Sequence, residues 1–349
     1  MKRDILYGGA PRNRLDLYLP VGCSYDHELT ERDIEEKVRK ARAPGTGNRN
    51  RSTVDDSDGT EGGSGRGGRP VIVFITGGMW IIGYKGWGAL LAKCLMEQGC
   101  IVASLDYRNF PQGTVGDMVQ DVGVGIGWVV KRAAALGGDP KRVFVVGQSA
   151  GAHLGATAIL RQAEWELGGY GFTSPWSPSS LAGFVGISGV YAPDNRRLVE
   201  HFNSKGLYRE VFWSIMEAGF SGSRADEALP RASPVAILRD SGAVPGLASV
   251  QPPVLLCHGS ADTSAPPSQS GEYAAALRDA GVSVTERYYP GKTHTDPFVT
   301  DPILGGHDNL LEDIVAFVQR GETQAQGPPA LPALLPRPFV DIARMMVPF

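Results

Sequence analysis

Residues 143–161 read VFVVGQSAGAHLGATAILR, and this stretch decides the fold. Val143–Val146 is a short run of β-branched and aromatic residues, the composition of a buried strand. Ala150–Arg161 is rich in helix formers and reads as a helix. Between them lies Gly147-Gln148-Ser149-Ala150-Gly151, a G-x-S-x-G sequence at a strand-to-helix turn. A serine on so sharp a turn needs small neighbours on both sides, because the backbone is strained and closely approached. The helix that follows offers unpaired N–H groups and the positive end of its dipole to developing negative charge. Ser149 is therefore the candidate nucleophile.

Working outward, the same rhythm repeats. Val71–Thr76, Ile101–Leu105, Ala182–Ile187, Val254–His258 and Val282–Tyr289 read as further apolar strands. Trp87–Gln98, Val115–Ala135, Ser268–Ala280 and Asn309–Gln319 read as helices between and after them. Apolar strands alternating with helices predict an α/β fold, a mostly parallel central sheet covered on both faces. Leu15, Leu17 and Leu19 alternate with Asp16 and Tyr18, as in a half-buried strand near an antiparallel edge. Residues 1–320 are expected to form one domain. It would be interrupted by a loose insertion at 21–69, with a charged stretch at Glu31–Arg42 and six glycines in 59–68. Residues 188–250, irregular and aromatic, are expected to form a cap. The tail, 321–349, is proline-rich and holds a short amphipathic stretch, Phe339–Met346.

The 349 residues carry 34 basic and 37 acidic side chains, too balanced to advertise a nucleic-acid partner. Four cysteines without CxxC spacing speak against a disulfide scaffold or a zinc site, and Cys94, Cys100 and Cys257 sit in apolar runs as small buried hydrophobes. The best apolar run, Val71 to Ile82, is interrupted by Gly77 and Gly78, whereas a membrane span needs roughly 20 residues. Lys2, Arg3 and Asp4 open the chain without a signal-peptide pattern.

A serine hydroxyl is a poor nucleophile until a histidine removes its proton and a carboxylate orients that histidine. On this kind of scaffold the chain order is serine, acid, histidine. His294 lies in Gly291-Lys292-Thr293-His294-Thr295-Asp296, a loop just after the strand ending at Tyr289, and is the expected base. Asp262 lies in the strand-end turn His258-Gly259-Ser260-Ala261-Asp262 and is the expected acid. Asp296 and Asp301 follow the histidine and break that order. His258 is expected to bury its ring at a strand end, His201 to fall in the cap, and His307 in a polar turn. Thr76-Gly77-Gly78-Met79-Trp80 leaves its strand where backbone donors are needed, so the N–H groups of Gly78, Met79 and Ala150 form the expected oxyanion hole. Asp106, Arg108 and Asn109 are expected to brace that loop.

Four segments together resemble the isoprenylcysteine α-carbonyl methylesterases, a family of the α/β-hydrolase fold. They are TGGMWIIGYKGW (76–87), LDYRNFPQGT (105–114), GQSAGAH (147–153) and GKTHTD (291–296). NRLDLYLP (13–20) and the cap segment from Gly206 to Glu217 add to the likeness. A looser similarity reaches carboxylesterases and kynurenine formamidases, where histidine usually stands at the position of Thr76. The resemblance implies hydrolysis of the methyl ester of a C-terminal prenylcysteine to acid and methanol, with no metal or cofactor. It also implies an endoplasmic reticulum or Golgi setting with possible membrane association, a cytoplasmic location being the alternative. Trp80, Trp87 and Phe110 near the mouth, with Phe212 and Trp213 among the cap aromatics, are candidate substrate contacts. Two other readings are a generic carboxylesterase or formamidase, and a small-molecule receptor without turnover. A receptor would be expected to have lost part of the Ser149–Asp262–His294 set.

Overall fold

The computed structural model describes residues 1–23, 68–168, 176–207, 209–217, 229–240, 246–320 and 328–340. Residues 24–67 of the expected insertion, 208, 218–228 and 241–245 of the expected cap, and 341–346 of the amphipathic tail stretch lie outside them.

Among the described residues eight strands form one sheet: β1 (Lys2–Leu6), β2 (Arg14–Tyr18), β3 (Arg69–Ile75), β4 (Ile101–Leu105), β5 (Gly138–Gln148), β6 (Leu181–Ile187), β7 (Val254–Gly259) and β8 (Val284–Tyr289). Their spatial order is β1-β2-β4-β3-β5-β6-β7-β8. β1 pairs antiparallel with β2, and β2 antiparallel with β4. Every later pairing is parallel.

The alternation of side chains along each strand divides the molecule into two cores. Val71, Val73 and Ile75 of β3, with Val143 and Val145 of β5, face a core shared with α2 (Val115–Arg132), α3 (Ala150–Leu167) and α7 (Ser268–Asp279). Ile72, Phe74, Phe144 and Val146 face the other, covered by α1 (Ala89–Glu97) and α9 (Asn309–Val318). Among the described residues of the irregular region, three short helices, α4 (Arg196–Ser204), α5 (Arg209–Glu217) and α6 (Pro234–Arg239), join the first core through Leu198, Phe202, Phe212, Ile215 and Val235. The helix α8 (Asp301–Leu304) is one turn.

The largest departures from the sequence reading are three, beside shifts of one to three residues at other element ends. β1 was not expected, because four of its five residues are exposed and carry no apolar period; it, not β2, is the outer strand. β5 starts at Gly138, within residues that look like a turn, and its pairing with β3 is irregular there. α3 continues past Arg161 to Leu167. The outer strands are tied to the sheet by Lys85, whose buried ammonium lies 2.8 Å from Asp16 and 2.9 Å from Asp4. A buried charge is tolerated only with such partners.

Candidate active site

Ser149 follows β5 directly and precedes the first turn of α3. Its φ of 53° and ψ of −119° are strained for a residue with a side chain. The strain is held by neighbours. The Ser149 N–H donates to the Ile187 carbonyl at 2.8 Å, and the Ser149 carbonyl accepts from the N–H groups of Ala152 and His153. A Cβ on Gly147 would lie 2.6 Å from the Ala152 Cα, and one on Gly151 only 2.2 Å from the Ile75 carbonyl oxygen. Both glycines are required by close backbone approach.

The candidate base and acid come from two loops stitched together beyond β7 and β8. The Ser260 N–H donates to the Tyr289 carbonyl and the Ala261 N–H to the Lys292 carbonyl, each at 2.9 Å. The Gly291 N–H donates to Ser260 Oγ at 2.9 Å. Gly259 permits this contact, since a Cβ there would sit 2.3 Å from the Lys292 carbonyl oxygen. The result brings together three residues far apart in sequence. His294 Nε2 is 2.9 Å from Ser149 Oγ, and His294 Nδ1 is 2.6 Å from Asp262 Oδ2. With Nδ1–H donating to the carboxylate, the lone pair of Nε2 faces the serine hydroxyl, which donates to it.

Asp262 is anchored on its other side. Its Oδ1 accepts from the N–H groups of Ser264 and Ala265, at 2.8 and 2.9 Å. Burial, the largest single influence, pushes its carboxyl up. The hydrogen bonds and charges of His258 and His294 together outweigh burial and hold it well below the usual carboxylate range. Asp262 is therefore ionised at neutral pH, ready to stabilise an imidazolium. All three residues are nearly enclosed, at 8%, 5% and 9% exposure for Ser149, Asp262 and His294.

The rival groups have other duties. Asp296 Oδ2 accepts from the Thr293 N–H, and Asp301 pairs with Lys292 at 2.6 Å. His201 Nε2 meets the Thr263 carbonyl, and His307, largely exposed, pairs with Glu312. His258 is buried as expected, but its Nε2 also lies 3.0 Å from Asp262 Oδ2. That contact was not read from the sequence.

The loop after β3 lies against the elbow. A Cβ on Gly77 would fall 2.9 Å from Ser149 Cβ. Gly78, Met79 and Trp80 all have positive φ, and the Gly78 carbonyl accepts from the N–H groups of Ile81 and Ile82. Tight turns of this kind gather backbone N–H groups into anion-binding concavities. The loop is braced from outside. Tyr107 Oη–H donates to the Thr76 carbonyl at 2.9 Å. Arg12 and Asn109 both donate to the Gly83 carbonyl, and Asp106 accepts from Arg12 and from the Lys85 N–H. Arg108, expected in this group, turns instead to Asp117 and Asp121 on α2.

The five candidate substrate contacts fall in different settings. Trp80 is not at an open mouth. It is 1% exposed, donates its indole N–H to His153 Nδ1 at 3.1 Å, and meets Phe202 and Phe212 edge-on. Phe212 is fully buried in the same aromatic cluster. The position of Trp80 follows from contacts with α4 and α5, which local sequence does not reveal. Phe110 and Trp213 are half-buried against the core, and Trp87 is 48% exposed on the 3-10 turn Lys85–Gly88.

His153 itself is neutral. Burial pulls it down to about 4, against its hydrogen bond from Nε2–H to the Ala232 carbonyl. An unfolded imidazole titrates near about 6.5, so between about pH 6.5 and 4 the unfolded chain binds a proton that the folded chain refuses. Stability is expected to fall by about 3 kcal/mol as pH drops through that window. Comparing Tm against pH for the wild type and His153→Gln checks this. The variant should be less stable at pH 7 but flatter below pH 6.5, and equal slopes would contradict the assignment.

A mostly parallel sheet bearing a serine on a strand-to-helix elbow, with an imidazole and carboxylate delivered from later strand ends, defines an α/β hydrolase. Residues 72–297 match the α/β-hydrolase fold family. Esterase B from Lactobacillus rhamnosis shares the fold, with a TM-score of 0.57 at 18% identity over 85% of this chain and 78% of its own. Much nearer are plant proteins. The chain is 41% identical over 99% of its length to the probable isoprenylcysteine α-carbonyl methylesterase ICMEL1 of Oryza sativa subsp. japonica. It is 40% identical over its full length to isoprenylcysteine α-carbonyl methylesterase ICME of Arabidopsis thaliana. It spans 70% of each of those relatives. The chain belongs to the isoprenylcysteine α-carbonyl methylesterase family.

Proposed function

We propose that this chain hydrolyses the methyl ester on the α-carboxyl of a prenylated cysteine, free or at a protein C-terminus, with Ser149 as nucleophile, His294 as base and Asp262 as orienting acid. The observation that carries the reading is the Ser149–His294–Asp262 relay, at 2.9 and 2.6 Å, on a strained elbow in a chain of this family.

Ser149 Oγ attacks the ester carbonyl carbon while its proton passes to His294 Nε2. The carbonyl oxygen becomes an oxyanion, for which the Gly78, Met79 and Ala150 N–H groups are the proposed donors. Each such donor contributes roughly 2.7–4 kcal/mol to barrier lowering. The tetrahedral intermediate collapses, the bond to methoxide breaks, and His294 returns the proton so that methanol leaves. A water molecule, deprotonated by His294, then attacks the acyl-serine and releases the carboxylic acid, regenerating Ser149. No step needs a metal or cofactor.

In this reading residues 188–250 are a cap over the site of a hydrolase domain spanning 1–320, and 321–349 are a tail. Trp80 and Phe212 support the cap from within, while Phe110 and Trp213 present apolar surface to the prenyl chain. Ile82, Tyr84 and Trp87 are 58%, 41% and 48% exposed on the segment leaving the oxyanion loop. Such apolar surface suits a substrate held at a lipid interface, and a prenyl chain gains roughly 25 cal/mol per Å² buried. The same reading puts the work at an endoplasmic reticulum or Golgi membrane. No helix among the described residues is long and apolar enough to cross one.

Hydrolysis of farnesylcysteine methyl ester, compared with a short p-nitrophenyl ester and an aryl formamide, tests the proposal. The prenyl substrate should have the highest kcat/KM. Turnover of the short ester alone would reduce the reading to a general carboxylesterase. Preference for the formamide would replace it, and turnover of none would favour a receptor.

A further inference from the structure

The triad acid has a second imidazole on it. Asp262 Oδ2, the oxygen that faces His294, also lies 3.0 Å from His258 Nε2. With two backbone N–H groups on Oδ1, the carboxylate receives four donors, which is the full capacity of its lone pairs. His258 Nε2 faces a second acceptor, the Ala265 carbonyl at 2.9 Å, so that nitrogen must carry a hydrogen. Its Nδ1 is 2.7 Å from Ser270 Oγ on α7, a hydroxyl that can donate to a neutral ring. The ring is wholly buried at the end of β7, after an apolar run where a leucine or phenylalanine would fill the space without any polar partner to satisfy. Every polar atom of the imidazole is used, and one is spent on the oxygen that orients the base.

We infer that His258 is a positioning residue for hydrolysis: its Nε2–H and the His294 Nδ1–H share Asp262 Oδ2, and the second donor stops the carboxylate from rotating away from the base. This rests on the serine-hydrolase reading above. A carboxylate held by three donors could pivot about its χ2 torsion and carry the imidazole with it. A carboxylate held by four cannot, and the lone pair of His294 Nε2 stays on the Ser149 hydroxyl.

Three substitutions separate this role from simple core filling. His258→Phe keeps a ring of similar size and removes all three hydrogen bonds, to Asp262, Ala265 and Ser270. His258→Gln carries an amide nitrogen to about the place of Nε2 and keeps the donor to Asp262. His258→Asn reaches only the place of Nδ1, beside Ser270. The inference expects kcat for the methyl ester to fall about 10- to 100-fold in His258→Phe and His258→Asn, with KM within threefold, and to return to within about fivefold of wild type in His258→Gln. The asparagine and glutamine pair decides the matter if the phenylalanine variant does not fold. Equal loss in Asn and Gln, or kcat within threefold of wild type in both Phe and Asn, would overturn it. Phosphonylation of Ser149 by a fluorophosphonate gives a second rate that does not depend on substrate class, and it should follow the same order. A wild type that is labelled at the same rate as the Asn variant overturns this inference alone. A wild type not labelled at all overturns the serine-hydrolase reading, and this inference with it.

Discussion

Ser149→Ala is expected to lower kcat for a carboxylic methyl ester by about 10⁴-fold or more, and His294→Ala by a similar factor. The alanine enzyme has no oxygen to attack the carbonyl, and without the imidazole the hydroxyl keeps its proton. The two losses should not multiply, because each disables the same step. The double variant is expected to be about as slow as either single one, retaining the rate that the oxyanion donors and binding supply. Ser149→Ala should cost little stability. It removes one hydrogen bond to His294, and a small residue at the positive-φ position remains held by the Ile187 carbonyl. Steady-state kinetics with farnesylcysteine methyl ester measure the effect. A residual kcat within tenfold of wild type in Ser149→Ala would mean that another group attacks.

Gly151→Ala sets helix propensity against close packing. Gly151 lies in the first turn of α3, where alanine would ordinarily gain up to about 1 kcal/mol over glycine. A Cβ here, however, would lie 2.2 Å from the Ile75 carbonyl oxygen and 2.5 Å from that of Thr76. Both obstacles are backbone at the end of β3, and neither can swing aside as a side chain could. Forced overpacking of this sort costs about 3 kcal/mol or more, so the net change is destabilising. Tm should fall by about 5 °C or more. The relief available is to push Thr76 outward, which shifts the Gly77–Trp80 loop away from Ser149, so kcat should fall more than KM rises. A higher Tm in Gly151→Ala would show that the helix and β3 are not in close contact.

The parts of the fold that were legible in the sequence are those where local chemistry and position agree. β3, β4, β6, β7 and the Val143–Gln148 half of β5 are short, mainly apolar runs buried on both faces, and such runs need no tertiary information to be recognised. The elbow was legible because G-x-S-x-G satisfies a steric demand within five residues. Asp262 and His294 were legible as candidates because strand-end loops are where such a sheet displays its chemistry. β1 was not, since four of its five residues are exposed and what holds it comes from elsewhere in the chain: pairing with β2, and the contacts of Arg3 and Asp4 with Asp16 and Lys85. The burial of Trp80 was also hidden, because the partners that enclose it, His153, Phe202 and Phe212, are brought in by three different helices. The bond from His258 to Asp262 escaped for a related reason. A histidine ending an apolar strand reads as a buried ring, and the turn that brings its nitrogen back to a carboxylate four residues later is a property of three-dimensional loop stitching.

Peptide mass spectrometry after treatment with a fluorophosphonate is the most direct measurement of the central claim, that His294 activates Ser149 within an Asp262-oriented relay. The account predicts a single stoichiometric adduct on the peptide containing Ser149, absent in Ser149→Ala and formed at least about 10³-fold more slowly in His294→Ala. An adduct on a different residue, or undiminished labelling of Ser149 in His294→Ala, would contradict it.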